Sequence, residues 1–139
     1  MVAAVILLAV SLAGNALAPV PFTTISQSEQ SGVEQPRQVV VRTPEEWKAL
    51  WKEHAPGQPM PAVDFAKSMV IGVFLGSRNT AGYRVTITGI ERDGSGAAVT
   101  YREERPGARD MLAQVITFPH HLVRFERIAG EVKFARADR

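Results

Sequence analysis

Residues 69 to 75 read Met-Val-Ile-Gly-Val-Phe-Leu, a continuous apolar run bounded by Lys67-Ser68 before it and by Gly76 after it. A run of this length without a polar position is typical of a strand that is buried on both faces. We therefore predict a central strand here. The rest of the chain has to supply a cover for each of its two faces.

The sequence after this run predicts further strands, because apolar and polar residues alternate in it. Tyr83, Val85 and Ile87 would share one face, and Gly89 indicates a bulge or bend. Asp93-Gly94-Ser95-Gly96 is a turn signal that predicts a hairpin. The additional strands are predicted at residues 97–102, 111–117, 121–126 and 132–134.

The sequence before the run contains one helical segment and two short strands, at residues 21–27 and 38–41. Thr43 is a suitable N-cap, Pro44 suits the first helical position, and Glu46 completes a capping box. Four residues at helical spacing then form one apolar face: Trp47, Leu50, Trp51 and His54. The predicted fold class is α+β, a mainly antiparallel, sandwich-like sheet with this amphipathic helix packed on it.

The amino-acid composition excludes several classes of function. The chain has 139 residues and no cysteine, which excludes disulfides, zinc–thiolate sites, thiol nucleophiles and a lipid-bearing cysteine. Its 16 basic and 14 acidic residues are interspersed, whereas a nucleic-acid binder concentrates basic residues on one face. We predict a single domain that does not bind nucleic acid.

The first residues are typical of an export signal. Residues 2–13 are almost continuously apolar, and Ala16-Leu17-Ala18 matches a cleavage site. We predict a signal peptide at residues 1–18 and a β-rich domain at residues 19–139, working in the periplasm or outside the cell. A membrane anchor is the alternative, but the apolar run is shorter than the roughly 20 residues that a spanning helix needs.

The residue types that carry catalysis do not form a known pattern here. His120 and His121 are adjacent, so on a strand they would point to opposite faces and could not easily share a metal ion. Glu103 and Glu104 are also adjacent and lie between arginines, which favours a solvated face over an acid–base pair. We predict no enzymatic activity, no metal and no cofactor.

One segment has an unusual composition: Gly76-Ser77-Arg78-Asn79-Thr80-Ala81-Gly82-Tyr83. It links the apolar strand to the next one, and Asn79 and Gly82 tolerate a positive φ. Arg78 and Tyr83 are residue types enriched at protein interfaces. The segment is either an ordinary hairpin loop or a contact loop.

Several stretches of the chain together resemble the protease complex subunit PrcB C-terminal domain family. They run through nearly all of the predicted mature chain: Gln30-Ser31-Gly32, Glu46-Trp47, Leu50-Trp51, Val63-Asp64-Phe65, Phe74 to Tyr83, Val85, Ile87, Tyr101-Arg102-Glu103, Pro106-Gly107 and Gln114 to Val123. The family's loop usually reads R-P-T-G-G-Y, and here Asn79 and Ala81 replace Pro and the first Gly. The family's later S-P-Y-H stretch has Phe118 and His120 in place of Ser and Tyr.

The resemblance implies a non-enzymatic accessory subunit that binds a secreted or envelope protease. It implies a partner-binding site formed by two stretches: Arg78, Asn79, Thr80, Ala81, Gly82 and Tyr83, with Thr117, Pro119, His120 and His121 beside them. Founding members are lipid-anchored, for which this chain has no cysteine.

Two alternatives remain open from the sequence. The loop is similar, at Asn79, Thr80, Gly82 and Tyr83, to the N-P-T-T-G-Y loop of chagasin-type cysteine-protease inhibitors, which implies direct protease inhibition. The other alternative is an enzyme or small-ligand binder that uses His120 or His121. The oligomeric state and the identity of the partner do not follow from the sequence.

Overall fold

The computed structural model describes residues 18–137, which contain eight strands and one helix. In chain order they are β1 (Ala18–Pro19), β2 (Phe22–Ser28), β3 (Arg37–Val41), α1 (Pro44–His54), β4 (Ser68–Phe74), β5 (Arg84–Asp93), β6 (Gly96–Glu104), β7 (His120–Glu126) and β8 (Val132–Arg136). The predicted signal peptide, except for Ala18, lies outside the described residues. Within residues 18–137, α1 is too short and too polar to cross a membrane.

The strands form two four-stranded sheets, with the orders β1-β5-β6-β8 and β2-β7-β4-β3. We call them the first and the second sheet. Every pair of neighbouring strands is antiparallel except β6 and β8, which are parallel. The predicted fold class, mainly antiparallel β with one helix, is confirmed.

Strand β4 is buried on both faces, as its apolar run predicts. Met69, Ile71 and Val73 belong to a core that includes residues from the first sheet, whereas Val70 and Phe74 belong to a second core beneath α1. The second sheet is therefore the middle layer, with the first sheet on one side and the helix on the other.

Glycine is needed in the middle of β4 because its neighbours are packed closely. A Cβ atom on Gly72 would lie 2.5 Å from Cδ2 of Leu122 and 3.1 Å from Cγ2 of Val39. Leu122 is on β7 and Val39 is on β3, the two strands that pair with β4. The absence of a side chain at this position lets both neighbours fill the core under the helix.

Helix α1 begins and packs as predicted. The Thr43 hydroxyl accepts a hydrogen bond from the Glu46 amide at 3.1 Å, and the Glu46 carboxylate accepts one from the Thr43 amide at 3.2 Å. Trp47, Leu50 and His54 are buried, while Trp51 is partly exposed. The capping box satisfies amide donors that the first turn leaves unpaired, and the buried face holds the helix on the second sheet.

The hairpin and bulge signals are also confirmed. Residues 93 and 96 close the hairpin between β5 and β6, and Gly94 has a φ of 63°. The pairing of these strands shifts register between Ile87 and Gly89, where the sequence indicates a bulge.

The predicted strand at residues 111–117 is wrong. Only Thr117 pairs, in an isolated bridge with Arg78, and residues 110–116 belong to no strand. Met111, Val115 and Ile116 are exposed. Strand propensity depends on burial against a neighbouring sheet face, and these side chains have no such face, so the β-prone composition does not lead to a strand.

We expect Trp47→Ala to lower the free energy of unfolding by about 3–5 kcal/mol, because it empties a filled core site under the helix. Trp51→Ala is the matched control on the same helix, and its partly exposed side chain should cost clearly less. Urea denaturation followed by circular dichroism measures both values. Equal losses would contradict the assignment of Trp47 to the core.

Candidate functional site

The segment from Gly76 to Tyr83, which we call the contact loop, is held at its base by backbone pairing. The amide of Arg78 donates to the carbonyl of Thr117 at 2.8 Å, and the amide of Thr117 donates to the carbonyl of Arg78 at 2.9 Å. The Thr117 hydroxyl also donates to the carbonyl of Thr80 at 3.0 Å. Thr117 thus contacts the loop at two points and restricts its backbone.

A buried carboxylate fixes the side chain of Arg78. Glu103 on β6 has a side chain that is 2% exposed, and its Oε2 accepts a hydrogen bond from Nε of Arg78 at 2.8 Å. Its Oε1 accepts one from Nη2 of Arg136 at 2.6 Å. The carboxylate therefore joins the loop to β6 and to β8 at the end of the first sheet.

The prediction of a solvated face at residues 103–104 is wrong for Glu103 and correct for Glu104, whose side chain is 40% exposed. Burial by itself opposes the charge of Glu103. Hydrogen bonds and the positive charge of Arg78 and of Arg136 outweigh burial and hold the pKa of Glu103 below its usual value. The carboxylate is charged at neutral pH.

Two glycines let the loop pass close to its neighbours. Gly76 has a φ of 79°, and Gly82 has a φ of 99°, a region that favours glycine. A Cβ atom on Gly82 would lie 2.8 Å from Cβ of Pro106, and the Gly82 amide donates to Oε1 of Glu29 at 2.7 Å. Both glycines are therefore needed for the path of the loop.

The exposed part of the contact loop is small and chemically mixed. Asn79 is exposed, and Thr80 and Ala81 are partly exposed. The Arg78 guanidinium carbon lies 5.7 Å from the centre of the Tyr83 ring, a cation–π contact between two partly exposed side chains. The loop offers one amide side chain, one arginine and one aromatic ring in a constrained arrangement.

The second predicted stretch lies inside the protein and supports the loop from within. Thr117, Pro119, His120 and His121 are all buried. The carbonyl of Pro119 accepts a hydrogen bond from the Leu75 amide at 3.0 Å, just before the loop begins. Because these four side chains are buried, they do not form the predicted surface beside the loop. They support the loop from inside the protein.

The two adjacent histidines do point to opposite faces of β7. His120 lies on the helix side, with its ring centre 4.3 Å from that of His54, and its Nε2 is 2.7 Å from the Ser26 hydroxyl. His121 lies toward the first sheet, where its Nδ1 accepts from the Ile87 amide at 2.8 Å. Among residues 18–137, no group of three or more histidine, cysteine or acidic residues could hold a metal ion.

The surroundings of these histidines favour the neutral ring. Burial lowers the pKa of His120 to about 3, with the charges of His54 and His121 as further causes. Burial also lowers the pKa of His121 to about 4, and nearby Arg84 adds to this. Burial lowers the pKa of His54 as well. Neutral, hydrogen-bonded rings are suited to packing between the layers.

The sequence did not predict that an apolar stretch next to the loop would be exposed. Met111 is 100% exposed, Ile116 63% and Val115 51%, and the Ala81 amide donates to the carbonyl of Ala113 at 3.1 Å within this stretch. The strand prediction had assigned these residues to a sheet. Residues 111–116, which we call the apolar segment, therefore lie beside the contact loop.

Three supporting residues were also missed: Glu29, Glu103 and Arg136. Glu103 could have been found, because Ala97, Val99, Tyr101 and Glu103 continue one face of β6 at every second position. Glu29 and Arg136 come from distant parts of the chain, and no local signal pairs them with the loop.

We expect Glu103→Gln to lower the free energy of unfolding by about 1–3 kcal/mol, because two charged donors lose their carboxylate. The loss should stay below that of a fully buried pair, since the side chains of Arg78 and Arg136 are 25% and 29% exposed and can be partly hydrated. The neighbouring Glu104→Gln is the control and should change stability by no more than about 0.5 kcal/mol. Chemical denaturation distinguishes the two, and equal effects would contradict a structural role for Glu103.

We expect stability to fall on acidification from about pH 7 to about pH 5. The folded-state pKa values of His120 and His121 lie below the ordinary value of 6.5, so below pH 6.5 the unfolded chain binds more protons than the folded one. The free energy of unfolding then decreases with decreasing pH until the folded pKa values are passed. Urea denaturation at several pH values measures the slope.

The matched variant for this slope is His120→Phe, which keeps a ring beside His54 but cannot take a proton. Its stability should depend less steeply on pH than that of the wild type, whatever its stability at pH 7. An unchanged slope would show that His120 does not contribute.

Comparison with known proteins gives one match. A family model described as PrcB C-terminal matches residues 69–126, from strand β4 through strand β7. The matched region contains the contact loop, Glu103 and the apolar segment. No curated protein and no solved structure matches the chain. The predicted resemblance is confirmed over residues 69–126, where the chain is similar to the PrcB C-terminal family.

Proposed function

We propose that this protein is a secreted, non-enzymatic binding module that docks on a protein of an extracellular or envelope protease complex. The observation that carries the proposal is the position of the apolar segment beside the contact loop. Met111, Val115 and Ile116 are exposed next to a loop that backbone pairing, Thr117 and Glu103 hold in place. The family match to PrcB, a protease complex subunit, supports the class of partner.

The composition of this surface suits a protein partner. Methionine, tyrosine and arginine are enriched at the centre of protein interfaces, and all three occur here as Met111, Tyr83 and Arg78. Exposed Val115 and Ile116 add apolar area that would be removed from water on docking. Because the loop is already constrained, binding would cost little additional ordering of its backbone.

The surroundings of the histidines support a role without catalysis. A general base needs a pKa near the working pH and a position within reach of substrate. His120 and His121 are buried, with pKa values lowered to about 3 and about 4. They lie on opposite faces of β7 and do not converge on one pocket. The secreted location in the proposal is supported by the leader pattern at residues 1–18.

Site-specific photo-crosslinking tests the proposal. A photoreactive amino acid placed at Val115 should crosslink, in the native envelope or secreted fraction, to a protease or to a protein that copurifies with one. The same group at Met60, which is 45% exposed in the loop after α1, is the matched control and should not. A crosslinked product unrelated to any protease would contradict the class of partner.

The double variant Val115→Ser/Ile116→Ser should reduce recovery of that partner by about tenfold or more, as expected for the loss of two apolar contacts at an interface centre. Met60→Ser should leave recovery unchanged. Undiminished recovery by the double variant would show that the apolar segment does not form the interface.

Direct inhibition through the contact loop is the second candidate, favoured by the constrained backbone of that loop. The two functions differ in a simple measurement. An inhibitor should abolish the activity of the captured protease in proportion to added protein, whereas an accessory subunit should leave the activity unchanged or increase it. Papain-like and subtilisin-like proteases serve as reference enzymes.

A further inference from the structure

A cleft of about 550 Å³ lies on the side of Arg78 that faces the open edges of the two sheets. Strand β3 ends the second sheet and β8 ends the first, and the cleft is formed between them. Five of its lining residues determine its charge and its hydrogen-bonding capacity: Arg37, Gln38, Arg78, Tyr101 and Arg136. The apolar segment is not part of the lining.

The charge of the lining is one-sided. Within residues 18–137, the lining includes three arginines and no carboxylate. Two carboxylates outside the lining pair with these arginines: Glu103 with Arg78 and Arg136, and Glu53 with Arg37 at 2.9 Å. Among the described residues, an anionic group that enters the cleft would therefore meet guanidinium groups and no lining carboxylate.

The arginines are held in position before any ligand arrives. Buried Glu103 accepts from Nε of Arg78 and from Nη2 of Arg136, and Nη1 of Arg78 donates to the carbonyl of Leu75 at 3.1 Å. The guanidinium carbon of Arg37 lies 5.8 Å from the centre of the Phe74 ring. Side chains that are already ordered lose less entropy on binding, so this arrangement favours a ligand.

Donors remain for an anion. Among the described residues, the side-chain hydrogen bonds of Arg78 are donated by Nε and Nη1. The Nη2 group therefore keeps its donors available for a ligand. The hydroxyl oxygen of Tyr101 accepts from Nε2 of Gln38 at 3.0 Å, so its own proton can be donated. Guanidinium groups present donors in a planar fork that matches the two oxygens of a carboxylate.

We propose that this cleft binds one carboxylate, supplied by an acidic side chain of the docked protein. This inference rests on the proposed function, because the partner would supply the carboxylate while it contacts the nearby loop. Arg78 is common to both surfaces: its backbone belongs to the contact loop and its side chain lines the cleft. The cleft would fix the register of the partner, and the apolar segment would supply contact area.

A titration with short peptides tests the cleft without the partner. The probe is a capped tetrapeptide, amidated at its C-terminus, with one glutamate, and the control peptide has glutamine at the same place. The full mature protein, labelled with ¹⁵N, is observed through its backbone amides and arginine Nε–H signals. The glutamate peptide should shift signals at residues 37–38, 73–78, 101 and 136, and the glutamine peptide should not.

Arg37→Ala tests the specificity of the effect. Its ion pair with Glu53 is exposed, so the substitution should leave the fold intact, whereas Arg78 and Arg136 hold a buried carboxylate and are unsuitable. We expect the affinity for the glutamate peptide to fall by about tenfold, the effect of one charge-assisted interaction. Arg92→Ala, which removes an equally exposed arginine paired with Glu126, should leave it unchanged.

The other outcomes decide the source of the anion. Binding of a glutamine peptide with a free C-terminus, at the same residues, would support a carboxylate site but assign it to a chain end. Tighter binding of a phosphoserine peptide would overturn the assignment of the site to a carboxylate. Equal binding of the glutamate and glutamine peptides, or no effect of Arg37→Ala, would overturn the site itself. Such a failure would leave the crosslinking at Val115 unaffected, so the two proposals fail separately.

Discussion

The whole architecture depends on removing both faces of β4 from water. Both faces of this strand carry apolar side chains, and one packing layer can cover only one face. The chain therefore needs a second layer on the other side of the sheet. The first sheet supplies one, around Met69, Ile71 and Val73, and α1 supplies the other, around Val70 and Phe74. Burial of this strand also fixes where its end lies, and the contact loop starts directly after that end.

The contact loop is stiff because buried groups hold it. Thr117 pairs with its backbone, and Glu103 holds the side chain of Arg78 from inside the protein. A charged carboxylate with almost no exposure is stable only while its partners stay in place, so the ion pairs and the loop conformation depend on each other. The same carboxylate orients Arg136, so one buried group shapes both the contact loop and the arginine-lined cleft.

The three histidines occupy the layers between these elements. His54 and His120 meet beneath the helix, and His121 connects β7 to the Ile87 amide of the first sheet. Each ring also lies within hydrogen-bonding distance of a hydroxyl group: His54 with Ser31, His120 with Ser26 and His121 with Thr24. Such hydrogen bonds offset the cost of burying a polar ring without a charge, although Nδ1 of His120 is buried with no hydrogen-bond partner among the described residues.

The sequence by itself determined the local elements: the two-faced strand, the capped helix, the hairpin at residues 93–96 and the bulge at Gly89. Each depends on a few neighbouring residues whose spacing or backbone preference acts locally. It also located the contact loop and placed His120 and His121 on opposite faces, because side chains alternate along any strand.

Only the tertiary structure decided the environment of those residues. Glu103 pairs with Arg78 and Arg136, both far from it along the chain, so its burial in ion pairs could not be predicted from its neighbours in sequence. Residues 111–116 have the composition of a strand but no sheet edge to join, and they remain exposed. Propensity is a property of the segment, whereas burial, charge pairing and exposure depend on which distant segments pack against it.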